Sequence, residues 1–186
     1  MNIITNNCLG GYIYRDVLRT QYENPFVWCF IEPYFDFIQD YPNIDFKNYE
    51  LKRIETDSLK RFKIVINEKY ELKFWHYWFD KNATVPVVCD SDVKYNKIWE
   101  YVVTKYEERL KRMNTSEQPI FMFYGNELSQ KSFEILKKKS LTNKVLVFNN
   151  NFSYENTNMK CFPIDEKWKD PKYVVKKYHK EIKDFV

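Results

Sequence analysis

The chain has 186 residues, a formal net charge of +4 and an aromatic content of 19%. This length allows one domain with a large core, and the aromatic content excludes a disordered chain. The positive excess is small and the lysines are dispersed, so we expect no nucleic-acid binding. The sequence shows neither an apolar run long enough to span a bilayer nor a secretion signal, which predicts a cytoplasmic protein.

The first predicted elements are a strand, a tight turn and a helix. The apolar pair Ile3-Ile4 precedes the run NNCLGG at residues 6–11, and a helical pattern then continues to about Arg19 or Tyr22. Two of the three glycines of the whole chain lie in this turn. Their position predicts a backbone that no side chain could tolerate, such as a positive φ or a close approach of two main chains.

The middle of the chain combines a short helix, a β-hairpin and a long helix. A helix is predicted over residues 34–38, between Pro33 and Pro42. Residues 51–79 alternate in polarity as strands do, with a turn at residues 67–70. The next helix follows a cap among residues 90–92 and has one apolar stripe. That stripe consists of Tyr95, Ile98, Trp99, Val102, Tyr106, Leu110 and Met113.

The second half of the chain predicts a βαβ unit and a C-terminal helix. Two continuous apolar runs, residues 120–124 and 144–148, flank a helix whose cap is Asn126 or Ser129. The final helix covers residues 170–185. Its lysines could contact a membrane surface or an acidic partner, although a solvated face is the simpler interpretation.

These elements predict one α/β domain over residues 1–186. We expect a three-layer arrangement in which a mixed, partly parallel sheet is flanked by helices, with a central β-hairpin. The four cysteines, Cys8, Cys29, Cys89 and Cys161, include no closely spaced pair, and the two histidines lie far apart. This spacing predicts free thiols in a reducing compartment and no metal site.

Cys8 and His76 are the candidate catalytic residues. A thiol at the start of a helix tends toward the thiolate, so Cys8 could be a nucleophile. Of the two histidines, His179 lies among surface lysines, which leaves His76 as the base; a core histidine is the alternative. The orienting third residue stays open among Asp80, Asp90 and Asp92. The structural alternative for Cys8 is a small buried side chain in a βα turn.

Ligand binding is the other function that these turns could have. The turn at residues 6–11 is similar to phosphate-binding turns, but it lacks the spaced glycines of a dinucleotide site and the Lys-Ser/Thr of a P-loop. The junction after residues 120–124 offers a second binding edge at a strand end. The candidate ligand-binding residues are Asn6, Asn7, Gly10, Gly11, Tyr77, Gly125 and Asn126.

Several motifs resemble one bacterial family, DUF1919. They are NIITNNCLGGYIY at residues 2–14, YENPF at 22–26, FWHY at 74–77, Trp99 with ERLKRMN at 108–114, and NKV at 143–145. The chain departs from the family's pattern at Leu9, where an aromatic residue is usual, and at residues 67–69, where a Gly-Asp pair is usual. Members of the family are often described as exopolysaccharide biosynthesis proteins, so the resemblance implies an α/β fold and a role in glycan synthesis.

These observations favour a cytoplasmic transferase that acts in surface polysaccharide synthesis. Cys8 would attack an acyl donor such as acyl-CoA, His76 would move the proton, and the amides of Gly10 and Gly11 would stabilise the oxyanion on the way to a glycan acceptor. A glycosyltransferase that holds a nucleotide sugar with these two binding edges, with an Asp as base or metal ligand, is the second hypothesis. A non-catalytic interaction protein of the same pathway is the third. The sequence assigns no cofactor.

Overall fold

The computed structural model describes residues 1–20, 24–27, 29–56, 59–74, 92–114, 116–164 and 170–186. Its strands are β1 (Ile3–Thr5), β2 (Phe30–Glu32), β3 (Tyr49–Thr56), β4 (Leu59–Ile66), β5 (Tyr70–Phe74), β6 (Ile120–Tyr124), β7 (Val145–Phe148), β8 (Glu155–Asn156) and β9 (Met159–Phe162). Its helices are α1 (Leu9–Tyr12), which continues as a π-helical turn over Ile13–Leu18, α2 (Tyr34–Asp40), α3 (Asp92–Arg112), α4 (Gln130–Lys139), α5 (Pro171–Lys177) and α6 (His179–Phe185).

The described strands form two sheets. The first has the order β1-β6-β7-β9-β8, in which β1, β6, β7 and β9 are parallel and β8 is antiparallel to β9. The second is antiparallel, with the order β2-β5-β4-β3. The predicted α/β class with a mixed, partly parallel sheet is confirmed, and the predicted central hairpin is the β4–β5 pair of the second sheet. Asn67 and Glu68 turn this hairpin with positive φ angles of 50° and 55°.

Alternate residues of the parallel strands face two different cores. Ile3, Met122 and Leu146 pack with α1, α5 and α6 on one face. Ile4 and Phe121 pack on the other face with α2, α3, α4 and the antiparallel sheet. Because both faces of the parallel sheet are covered by apolar side chains, its strands are continuous apolar runs in the sequence.

Tyr34 connects the two sheets. Its side chain is fully desolvated in the core, and its hydroxyl lies 2.7 Å from the Met122 carbonyl oxygen and 3.3 Å from that of Ile4. The ring also lies against Phe35 and Phe123. This contact fixes α2 and the second sheet relative to the first two strands of the parallel sheet.

The C-terminal segment differs from the predicted single helix. α5 begins as expected, with Asp170 accepting from the Lys172 amide at 2.9 Å and proline in the first turn. The helix is interrupted at Tyr178, whose hydroxyl donates to the Pro163 carbonyl at 2.8 Å and whose ring packs on Phe162. The tertiary contact of Tyr178 thus divides the segment into α5 and α6. None of the described helices combines the length and apolar character needed to cross a bilayer.

Candidate functional site

The candidate site lies at the carboxyl edge of the parallel sheet. Since β1 and β6 are parallel neighbours, the turn after Thr5 and the turn after Tyr124 leave the sheet at the same edge. The two binding edges that the sequence predicts separately are therefore adjacent. The loop after Phe148 leaves the sheet at this edge as well.

Asn6 joins the first two turns. Its side-chain oxygen accepts from the Tyr124 amide at 2.9 Å, and its side-chain nitrogen donates to the Tyr124 carbonyl at 3.0 Å. The Asn6 amide group thus continues the β1–β6 pairing by one step beyond the strand. Asn7 is buried and its side-chain oxygen accepts from the Leu9 amide at 2.9 Å, which fixes the entry to α1. Both asparagines shape the turn, and their ligand-binding role stays a prediction.

The second turn is held from its other side by the loop after β7. Asn149 is buried and its side-chain nitrogen donates to the Gly125 carbonyl. The Asn151 side chain donates to the Asn126 carbonyl at 3.1 Å. The asparagine-rich composition of this loop therefore has a structural reason, because these amides satisfy main-chain groups that leave the sheet.

Cys8 is not activated as the sequence predicts. Its side chain is 7% exposed, and burial raises the pKa of the thiol to about 12. The expectation of a lowered pKa is wrong because α1 is only four residues long and desolvation of the thiolate dominates. Gly11 also departs from its predicted oxyanion role, since its N–H donates to the Cys8 carbonyl at 3.1 Å.

We expect Cys8 to be nearly inert to iodoacetamide between pH 7 and pH 9, because the thiol is protonated in that range. Cys161 is partly exposed and should react ahead of Cys8. Because folding raises the Cys8 pKa from 9.0 to about 12, its contribution to stability is complete below pH 9 and is lost as the pH rises toward 12. Mass spectrometry of tryptic peptides measures the labelling; modification of Cys8 ahead of Cys161 would contradict the burial.

Gly10 allows close packing, and neither glycine of the pair is needed for an unusual backbone angle. Both glycines are helical residues of α1, and neither has a positive φ angle. A Cβ at Gly10 would lie 3.0 Å from Thr5 Cγ2, which is closer than such atoms normally approach. Thr5 is fully buried and its hydroxyl is bonded to the Asn7 main chain, so it has little room to move. Gly10 thus packs its main chain against the Thr5 side chain, whereas the prediction was a close approach of two main chains.

Gly10→Ala is expected to lower the free energy of unfolding by about 1 kcal/mol, because overpacking against Thr5 exceeds the gain in helix propensity. A urea titration measures the change. The pair Gly10→Ala with Thr5→Ser is the control, since serine lacks the methyl group that would collide. If the double variant is no more stable than expected from adding the two single changes, the proposed collision is refuted.

Tyr12, Tyr124 and Asp170 form a group at this edge that the sequence interpretation missed. Burial raises the pKa of the Tyr12 and Tyr124 phenols, and the negative charge of Asp170 raises both further. The Asp170 charge thus acts on the phenols of both partly exposed rings. Cys8 belongs to the same neighbourhood, because it also acts on the pKa of Tyr12. No local pattern indicates this group, since Asp170 is separated from Tyr12 by most of the chain.

The structure describes only some of the other predicted site residues. His76, Tyr77, Asp80 and Asp90 lie outside the described residues. Asp92 begins α3. His179 is exposed, as expected, with its Nε2 atom 3.3 Å from the Asp16 carbonyl oxygen. Within the part of the chain that the structure describes, no three His, Cys, Asp or Glu side chains lie close enough together to bind a metal ion.

The comparisons with known proteins give one result. Residues 1–85 match the family DUF1919, a domain of unknown function. No curated protein and no solved structure matches the chain. The match includes the strand, turn and helix that begin the candidate site. The resemblance to DUF1919 is therefore confirmed, over the first 85 residues of the chain.

Proposed function

We propose that this protein is a cytoplasmic glycosyltransferase of surface polysaccharide synthesis that binds a nucleotide sugar at the carboxyl edge of its parallel sheet. The observation that supports it is the junction of the two turns, in which the Asn6 side chain is bonded to both main-chain groups of Tyr124. Ligands of α/β proteins bind at such edges.

The residues around the junction suit a sugar nucleotide. The rings of Tyr12 and Tyr124 offer aromatic surface for a sugar or base. Asp170 offers an exposed carboxylate whose charge acts on both phenols. An acyl transfer that begins at the Cys8 thiolate has less support, because burial keeps this thiol protonated near neutral pH.

Asp170 is assigned the role of general base. It accepts the proton of an acceptor hydroxyl while that oxygen forms a bond to the anomeric carbon of the donor. The bond from the anomeric carbon to the diphosphate breaks, and the nucleoside diphosphate leaves with the electron pair. The products are a glycoside and a nucleoside diphosphate, and no oxidant or reductant takes part.

Thermal unfolding with UDP-glucose, GDP-mannose and acetyl-CoA tests the proposal. A ligand that binds the folded state stabilises it by about 2.7 kcal/mol at a concentration a hundredfold above its Kd. We expect a nucleotide sugar to raise the unfolding midpoint and acetyl-CoA to leave it unchanged. Stabilisation by acetyl-CoA alone would favour the acyl-transfer hypothesis, and stabilisation by none of the three would favour a non-catalytic interaction protein.

A further inference from the structure

A second concave surface lies beside the candidate site, between the π-helical turn and the two C-terminal helices. This cavity has a volume of about 400 Å³ and is bounded by Asp16, Lys172, Tyr173, Val175, Lys176 and His179. Lys172 is two residues beyond Asp170, and Asp16 acts on the pKa of Tyr12. The cavity therefore adjoins the proposed transfer site through α5 and through the π-helical turn that continues α1.

The charge of the cavity is positive. Lys172 and Lys176 contribute two ammonium groups, and His179 adds an imidazole ring to the wall. The one carboxylate, Asp16, is already paired with Arg15, whose Nε and Nη2 atoms lie 2.5 and 2.8 Å from its two oxygens. The pKa of Asp16 is lowered by Arg15 first and by the charges of Lys172 and His179 as well. The cavity thus has cations in excess of its acid.

The remaining wall is apolar. Tyr173 is 54% exposed, which is unusual for so large a side chain, and Val175 forms part of the floor. An aromatic ring beside cations suits a ligand with a carbon ring and an anionic group, because the ring packs on apolar C–H groups while the ammonium groups contact oxyanions. A sugar with a phosphate or carboxylate has this chemistry.

We propose that this cavity binds an anionic sugar residue of the glycan acceptor, carrying a phosphate or a carboxylate, next to the transfer site. That the bound sugar belongs to an acceptor rests on the proposed glycosyl transfer, whereas the binding of an anionic sugar does not. Lys172 and Lys176 hold the oxyanion, and Tyr173 supports the sugar ring. The cavity would then determine which acceptors the protein accepts.

Binding of glucose 6-phosphate, glucuronate and glucose, measured by calorimetry on the full chain, tests the assignment. We expect the phosphate, the uronate or both to bind, and neutral glucose to bind at least about tenfold more weakly, because charged hydrogen bonds contribute most of the affinity. The K172Q/K176Q double variant should lose about tenfold or more in affinity for the anionic sugar. The matched control K180Q/K183Q removes two exposed lysines that do not line the cavity, and it should change affinity less than twofold.

Several results would overturn the inference. The inference fails if neither anionic sugar binds. It also fails if the two double variants lose equal affinity for the anionic sugar, because equal losses indicate a diffuse charged surface. Binding to phosphatidylserine vesicles without binding to either sugar would favour a membrane contact of α5 and α6 instead. If UDP-glucose no longer stabilises the K172Q/K176Q variant, these lysines bind the donor and not the acceptor. If no nucleotide sugar binds but the anionic sugar binds through the two lysines, the cavity stands and the glycosyltransferase proposal fails.

Discussion

Asp170→Asn should lower the rate of glycosyl transfer by about a hundredfold to ten-thousandfold, the usual loss when a general base is removed. Asparagine caps a helix as well as aspartate does, so the cap on the Lys172 amide is retained and the unfolding midpoint should not change. The rate is measured as release of nucleoside diphosphate from the nucleotide sugar that stabilises the protein.

The matched control is Asp184→Asn on α6, which removes one exposed carboxylate away from the candidate group. This variant should keep the full rate. Donor binding should survive in both variants, because the base acts on the acceptor hydroxyl. An Asp170→Asn protein with the rate of the unmodified chain would remove Asp170 from the chemistry.

The second large effect is expected at Asn24, which is fully buried beside β1. β1 is the edge strand of the parallel sheet. The main-chain N–H and C=O groups of Ile3 face away from β6, toward the outside of that edge. The Ile3 amide donates to the Tyr14 hydroxyl at 3.2 Å, and the Ile3 carbonyl accepts from the Asn24 side chain at 3.1 Å. Two side chains therefore take the place of a neighbouring strand.

Asn24→Ala is expected to reduce the free energy of unfolding by about 3 kcal/mol. The substitution removes the partners of the buried Ile3 carbonyl and of the Phe26 amide, which donates to the Asn24 side chain at 2.9 Å. Each unsatisfied buried group costs roughly 1–3 kcal/mol. Urea unfolding followed by circular dichroism measures the difference.

Asn126→Ala is the control for this experiment, because Asn126 is exposed. Asn151 contacts the main-chain carbonyl of Asn126, and the substitution keeps this group. We expect it to change stability by less than about 0.5 kcal/mol. Equal midpoints for the two variants would mean that Asn24 does not close the edge of β1. The turn that follows β1 would then need another explanation for its fixed position.

Many local features were predictable from the sequence because short-range physics decides them. The apolar runs that became β6 and β7, the Asp170 cap with Pro171 and the hairpin turn at residues 67–69 follow from patterns within a few residues. Helix α3 was predicted with nearly its observed bounds, since its apolar stripe extends over several turns. The opening motif also indicated the resemblance to DUF1919 that the match over residues 1–85 confirms.

Features that depend on long-range contacts could not be predicted from the sequence. Whether Cys8 is a thiolate depends on how much water reaches it, and the packing of distant elements buries it. The helix is interrupted at Tyr178, where the hydroxyl donates to the Pro163 carbonyl. Helical periodicity in the sequence does not indicate this contact. The π-helical turn after α1 likewise has no signal in the local pattern.

The sequence by itself determined the α/β class, the positions of most strands and helices, and the two turns that could bind a ligand, because hydrophobic periodicity and capping are local properties. Only the tertiary structure decided that these turns adjoin, through parallel pairing of β1 with β6 across more than a hundred residues. It also decided that the charge of Asp170 acts on the pKa of Tyr12 and Tyr124 and that burial raises the pKa of Cys8. The reason is physical: desolvation and charge interactions act through space and depend on neighbours that no local pattern specifies.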